Sequence, residues 1–540
     1  MKLNRYFSLV AAGLAFVACT DMDEIQPKSG TMLATQVQAA NVMAPSRAEA
    51  SFNGMFVKIG QPLLTFGSSG RADDWAFLMM NYSNDVEGAD LIIPDSGYNW
   101  FSVCGEYTSR NANYANPYIR YATPYNMIAD ANTFLSGYAD DVDDPHALNM
   151  IAQVKCLRAW AYAYLAEAFQ FNYQIAKDQP CVPIVSPETE DVTNNPRATV
   201  AEVYDFMLGD LNDAIEILDA STETRKSAMY INKNVAHGLR ARLYLNMGEW
   251  AKAYDDAVAA AEGYTPASIK EVSKPSFKDI SEHNWIWGYD MTTDTAAEMI
   301  YATTTAWLRS FSGDSYSAGT GNYAMINSLL YNKISDTDIR KQWWVDEDLK
   351  STLLDGEIWD GISNFAGVTI PDIKEPFAPY TNVKFGVSKY GTTTNDEDTP
   401  LMRVEEMILI QAEAKAHTDE AAATKILEDF VKTYRDPQYS AGERALPLLD
   451  EIWFQRRVEL WGEGFGIRDI KRLNKPLVRF HDRTNNQPDA FRFNMAANDG
   501  WLNMRFPQDE LNTNFAIVDN TDGKLPVMEQ NAELRDGVTD

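Results

Sequence analysis

Two glutamates one helical turn apart, Glu459 and Glu463, are the first residues of this chain that could do chemistry. A spacing of four puts both carboxyls on one helix face, as a pair of acids for glycosidic-bond hydrolysis could lie. Such acids usually face each other across a cleft from different elements, however, and here Arg457, Arg468 and Asp469 crowd the same stretch. Arginines this close point to ion pairs that brace neighbouring helices. With 77 Asp and Glu in the chain, some pair of acids will always look catalytic. The histidines, His146, His237, His283, His417 and His481, are dispersed, with no His-Glu-x-x-His or Cys-x-x-Cys to hold zinc. FGSSG at 66–70 is one residue short of a nucleophile elbow. DDVDD at 140–144 lacks the spacing of a calcium loop and reads as a solvated turn. The sequence supports no catalysis, no metal and no cofactor.

The second chemistry on offer is aromatic. Trp75 in SGRADDWAF, Tyr98 and Trp100 in SGYNWF, Trp307 in TTTAWLRSF and Tyr316 in SGDSYSAG stand in polar, turn-rich stretches that no periodicity explains. A ring there can stack on the C–H face of a ligand while a neighbouring Arg, Asp, Asn or Ser, such as Arg71, bonds its hydroxyls. HNWIWGYDM at 283–291 offers three more rings, Trp285, Trp287 and Tyr289, at alternate positions. On a strand, alternation sends them to one side and Ile286 and Gly288 to the other. Trp287 and Tyr289 read as core, whereas Trp285 stays a ligand candidate.

These residues need a body to hold them. The chain has 540 residues, 45% of them hydrophobic, and a mean hydropathy of −0.34, which suits a soluble globular body with a large core. Its net charge of −30 repels phosphate backbones and anionic lipid, so nucleic acid is a poor candidate partner, while neutral ligands carry no penalty. Residues 1–18 read as a signal peptide: Lys2 and Arg5, then the apolar run FSLVAAGLAFV at 7–17, too short for the ~20 residues that span a bilayer. Cys19 follows small Ala18, as at a lipoprotein cleavage site, and is the candidate lipidation residue. Residues 19–45 then form a tether. Cys104, Cys156 and Cys181 give no disulfide framework.

Helical periodicity runs through 47–59, 118–138, 147–170, 199–219, 231–263, 401–416, 419–434 and 446–461. The stretches 60–117 and 264–400 are irregular, rich in turn residues and rings, with short β-type runs. In 236–264, Ala241, Tyr244, Gly248, Trp250, Ala253, Ala257 and Ala260 fall at tetratricopeptide spacing, which predicts two antiparallel helices joined by a tight turn at Gly248. Small residues let the helices approach, and Tyr244 and Trp250 are expected to fill the gap between them. Such pairs bury their faces only by stacking on neighbours. The fold class is therefore mostly α: helical repeats over about 118–263 and 401–475, with variable parts at about 60–117 and 264–400, in one domain spanning 46–540.

Several stretches resemble the SusD/RagB family of Bacteroidetes outer-membrane glycan-binding lipoproteins. Tyr125, Ile128 and Asn132 carry its Tyr-x-x-Ile-x-x-x-Asn ending, and LRAWAYAYLAEAFQ at 157–170 its Arg-Ala-aromatic helix. Arg403, Glu406 and Glu413 match a second helix, while Arg457, Glu459, Leu460, Glu463, Gly464, Asp469 and Arg472 match its Arg-x-Glu-Leu signature. Gly466 stands where that signature usually has Arg. Pro507, Glu510, Leu511 and Asn514 fit its closing motif. The resemblance implies a SusD-like fold, no enzymatic activity and capture of an oligosaccharide or polysaccharide through the loop rings. It also implies a SusC-type TonB-dependent transporter as partner, and a lipid anchor holding the protein at the cell surface. The competing readings are a glycoside hydrolase and a repeat scaffold that binds no sugar.

Replacing Cys19 with Ala should abolish labelling by a fatty-acid probe and release the protein from the membrane fraction; unchanged labelling would refute the lipidation site.

Overall fold

The structure is a computed structural model and describes residues 34–67, 71–95, 100–298, 303–311, 317, 320–354, 364–365, 368–369, 377–388 and 394–540. Helices α1 (Ala34–Met43) and α2 (Pro45–Val57) lead into α3 (Ala76–Val86), α4 (Ala115–Ser136), α5 (Pro145–Phe169), α6 (Val200–Ala220), α7 (Lys233–Met247) and α8 (Trp250–Ala261). After a mixed section come α9 (Val404–Ala416), α10 (Glu420–Tyr434), α11 (Leu448–Glu459), α12 (Gly466–Arg472) and α13 (Gln508–Thr513). Their starts follow from local chemistry. Asp144 caps α5 through the Ala147 N–H at 2.8 Å, with Pro145 in the first turn, and Thr199 and Glu202 form a reciprocal capping box on α6.

The helices stack as the repeat pattern requires. α5 packs on α4 and α6, α7 on α6 and α8, α8 on α9, and α9 on α10 and α11. One array therefore continues across the long excursion between α8 and α9, because each pair can bury its apolar face only against the next. Gly248 ends α7 in the left-handed region at φ 78°, where a side chain is strained. Ala241, Ala253, Ala257 and Ala260 are fully buried, so the α7–α8 seam is closed by small residues. Tyr244 and Trp250 are only half-buried, with Lys252 of α8 5.3 Å from the Tyr244 ring centroid. Trp250 lies flat on the His417 ring at the end of α9, with centroids 3.7 Å apart.

Two sequence expectations change. The tether is helical from Ala34 onward, because Gln38 and Asn41 donate to the carbonyls of Ser136 (3.2 Å) and Gly137 (2.9 Å), which close the end of α4. Inside the stretch read as irregular lies α3, in which every residue but Asn81 is buried. A helix covered on nearly all sides has no polar face, hence no amphipathic signal.

Strand β2 (Trp285–Tyr289) pairs antiparallel with β6 (Thr399–Arg403), with register shifts between Trp285 and Gly288. All five β2 residues are buried, so both faces of the strand are covered. Trp285 belongs to the core together with Trp287 and Tyr289, because helices and insert enclose the ribbon from both sides. Elsewhere β1 (Leu91–Ile92) pairs with β3 (Met325–Ile326), β4 (Asn364–Phe365) with β5 (Val368–Thr369), and β7 (Leu477–Val478) with β8 (Asn494–Met495). Among the described residues Cys104, Cys156 and Cys181 are free and buried, and no helix is long and apolar enough to cross a membrane.

Beneath these elements lies a charge cluster. Arg435 donates to both carboxylate oxygens of Glu459 at 2.8 Å, Arg403 reaches Oε1 at 3.1 Å, and Arg340 reaches Oε2 at 3.3 Å. Arg403 also holds Glu463 bidentately at 2.7 and 2.8 Å, and Lys384 holds it at 2.8 Å. Burial alone would push the Glu459 carboxyl up, but Arg435, Arg403 and Arg340 together hold it well below the usual carboxylate range. Glu459 and the three arginines expose none of their side-chain surface, so the pair that could have been catalytic is a structural core of charge. Glu459→Gln should destabilise the protein by about 3–5 kcal/mol, because it leaves buried guanidinium groups without their counter-charge. Denaturant unfolding measures this, and an unchanged midpoint would show that the cluster does not support the fold.

Candidate glycan-binding cleft

The N-terminal end of α4 opens into a cleft of about 1200 Å³. Its walls come from segments far apart in the chain: Thr65 and Phe66, Arg71 and Asp73, Trp100 and Val103, the stretch 112–116 with Tyr118, and Gln508 and Asp509 at the start of α13. The Arg71 guanidinium lies 4.7 Å from the Phe66 ring centroid and 5.4 Å from that of Trp100. Phe66 in turn packs at 5.3 Å on Tyr118 of α4. Two rings and a flat cation thus share one wall.

Asp73 fixes the cation. Arg71 Nη2 donates to Asp73 Oδ2 at 2.7 Å. Burial pushes the Asp73 carboxyl above its ordinary range, against the pull of Arg71. Among the described residues the Arg71 Nε and Asp73 Oδ1 have no hydrogen-bond partner, and both atoms are covered from solvent. The adjacent Asp74 holds the loop that carries Phe66. Its carboxylate accepts the Thr65 N–H at 3.1 Å and the Phe66 N–H at 2.9 Å, and its carbonyl accepts the Leu63 N–H at 2.7 Å. Thr65 also meets Thr123 of α4 through their hydroxyls at 3.0 Å. At the floor, Asn116 donates to Glu87 at 3.2 Å, and Glu87 is paired with Arg110 (2.8 Å) and Arg120 (3.1 Å). Burial would raise the Glu87 carboxyl, but these arginines bring it below its usual value.

Of the residues singled out from sequence, Arg71 and Trp100 meet in this cleft. Trp75 is fully buried at the start of α3, Trp285 is buried in β2, and Trp307 is fully buried in the short helix Thr304–Leu308. None of these three faces the cleft. Trp307 packs edge-on against Phe101 at 4.8 Å, one layer beneath the wall that Trp100 begins. A tryptophan in a polar stretch can plug the core when its neighbours, rather than itself, reach the surface. Tyr98 and Tyr316 lie outside the described residues. Sequence reasoning missed Phe66, Asp73, Tyr114, Tyr118 and Gln508. Phe66 and Asp73 stand on either side of the small polar string SSG next to Arg71, and Tyr114 closes the polar run SRNANY, which were the available signals.

The signature glycines also find their reason. Gly464 and Gly466 donate their N–H groups to Asp85 of α3 at 2.7 and 2.8 Å. A Cβ on Gly466 would lie 3.0 Å from the Asp85 Cα and 3.1 Å from the Asn84 carbonyl oxygen, so the backbone of α3 leaves no room for the arginine usual in that signature. Arg468 instead pairs with Glu167 on α5.

Two family descriptions match the chain: "Starch-binding associating with outer membrane", SusD-like, over residues 64–245, and "SusD family", SusD/RagB, over residues 285–533. The chain belongs to the SusD/RagB family. Among solved structures it is similar to a SusD-like carbohydrate binding protein from Bacteroides vulgatus, with 22% identity, a TM-score of 0.68, and coverage of 87% of this chain and 97% of that one. A SusD superfamily protein from Bacteroides thetaiotaomicron has 20% identity, a TM-score of 0.64, and coverage of 88% and 99%. A structure described as a laminarin binding SusD-like protein has 18% identity, a TM-score of 0.60, and coverage of 88% and 98%. At such identities the likeness establishes the fold. No curated protein sequence matches the chain.

Proposed function

We propose that this chain is a cell-surface lipoprotein that captures a neutral oligosaccharide in the α4 cleft and passes it, unhydrolysed, to a SusC-type TonB-dependent transporter. The observation that carries the reading is the Arg71–Asp73 pair beside Trp100 and Phe66. Ring faces offer stacking for sugar C–H groups, while the Arg71 guanidinium and the exposed Asn113 and Gln508 amides of the lining suit hydroxyls, which both give and take hydrogen bonds. Family membership supports the same class of ligand. So does a solved relative of this fold that is described as binding laminarin.

The charge of the ligand follows from the lining. Arg71 is balanced by Asp73, and Asp509 adds a carboxylate at the rim, so the cleft offers an acidic glycan no net attraction. Arg309 is buried and spends its Nη2 on the carbonyls of Phe277 and Asp398, so it adds no positive charge to the cleft. The hydrolase alternative loses its acids, since Glu459 and Glu463 are held inside the arginine cluster. A pure scaffold leaves the built cleft without a role.

Stacking on one ring contributes about 0.5–1.5 kcal/mol beyond area burial. Trp100→Ala should therefore weaken oligosaccharide binding several-fold by calorimetry and leave the melting temperature nearly unchanged, with no sugar released from polymer by the wild type. Equal binding by both proteins would move the site elsewhere, and released sugar would revive the hydrolase. For the transporter, mild-detergent pull-down from the native membrane should recover a large β-barrel protein; recovery of the lipoprotein alone across several detergents would count against the partnership.

A further inference from the structure

The cleft does not end at its rim. Gln508 and Asp509 line it, and they begin α13, a helix held in place at both ends. At the near end the Gln508 N–H donates to the carbonyl of Ala112, just before α4, at 3.0 Å. At the far end Asn514, itself buried, donates to the carbonyl of Asn195 at 2.7 Å and accepts the Asn195 N–H at 3.1 Å. Asn195 also binds Ile184, and the neighbouring Pro183 carbonyl accepts from Tyr125, well inside α4. Helix α13 therefore runs alongside α4, away from the cleft mouth.

Its outward face is open and polar. Gln508, Asp509, Asn512 and Thr513 are all exposed, and the Gln508 amide donates to the Asn512 side-chain oxygen at 3.0 Å, one helical turn on. Immediately beyond stands Phe515, with 81% of its surface exposed. Its backbone is not loose: the Phe515 N–H donates to Thr193 at 2.8 Å, and the next residue, Ala516, donates to Asn514 at 3.2 Å. A ring mounted on a fixed backbone and left in water does little for folding. Amide side chains leading from a sugar-sized cleft to such a ring repeat the chemistry of the cleft itself, hydroxyl partners followed by a stacking face.

We propose that the open face of α13 is an outer subsite, in which the Gln508 and Asn512 amides bond hydroxyls and the Phe515 ring stacks on a distal residue of a glycan chain whose near end fills the cleft. The inference rests on the glycan-binding reading of the cleft. Its ligand is a linear neutral oligosaccharide long enough to leave the cavity; the Asp509 carboxylate on the same face disfavours acidic chains. Short oligosaccharides reach only the inner rings, so the outer subsite selects for chain length. Val192 and Val518, also exposed, border Phe515 along the neighbouring chain and make a protein interface the competing use of this surface.

The test is an array of size-fractionated neutral oligosaccharides and their parent polysaccharides, read with the wild type, Phe515→Ala and Trp100→Ala, each checked for an unchanged melting temperature. The wild type should bind long members of a series more tightly than short ones. Phe515→Ala should lose about fivefold, the worth of one ring contact, on long chains only. Trp100→Ala should lose on both. Chain-length independence, or a Phe515→Ala variant that binds long chains like the wild type, overturns the outer subsite and leaves the cleft standing. If that variant keeps full glycan binding but no longer recovers the β-barrel protein by pull-down, the surface is a protein interface and the subsite is overturned. Binding of no glycan by the wild type overturns the cleft and the subsite together.

Discussion

A single buried carboxylate organises this molecule. Glu459, at the end of α11, is reached by arginines from three other places: Arg340 in the variable section, Arg403 at the end of β6, and Arg435 after α10. An ion taken out of water costs several kcal/mol unless its partners arrive with good geometry. The cluster can therefore exist only when all four segments are docked. Asp338, Glu405, Glu459 and Glu463 balance Arg340, Arg403, Arg435 and Lys384, so the core carries no net charge. Burial still shows in Lys384, whose amine is pulled down to about 8 despite Glu463 beside it. The insert is thus fastened to the helical array by charge whose burial tolerates no missing partner.

That fastening lets the surface vary. The helices supply a rigid frame, and the residues that line the cleft sit on segments pinned to it one by one: the Phe66 loop by Asp74, the start of α4 by Glu87, and α13 by Asn514. Each pin is a buried polar side chain that satisfies backbone or amide groups, which is how a loop or a short helix is held without a sheet to pair with. The glycines of the EGFG stretch serve the same end from the other side, letting α12 approach the backbone of α3. The cleft is a by-product of these attachments, formed where the N-terminal end of α4 emerges between them.

The array was legible in the sequence because its information is local. Helix positions from 47–59 through 446–461 follow from apolar residues recurring each turn, and the Gly248 turn from a residue type that tolerates positive φ. The signature charges could be read as structural because arginines and acids alternated too closely for a hydrolytic pair. Where locality failed, so did the reading. Helix α3 is buried on nearly every side and has no polar face to reveal its period. Helix α1 depends on carbonyls a hundred residues away.

For the ligand residues the division is sharper. Composition and turn-rich context placed Arg71 and Trp100 among the candidates, and the sequence by itself determined the fold class, the strongly acidic charge and the presence of rings in the variable parts. It could not sort those rings. Trp75, Trp100 and Trp307 sit in equally polar strings, yet two are fully buried and one lines the cleft. Which way a tryptophan faces depends on what covers it, and here the covering groups come from elsewhere in the chain: Phe101 and Tyr82 over Trp307, Gln508 and Asp509 closing the cleft from the far end. Hydrophobic burial is indifferent to sequence separation, so only the tertiary structure decided between plug and platform.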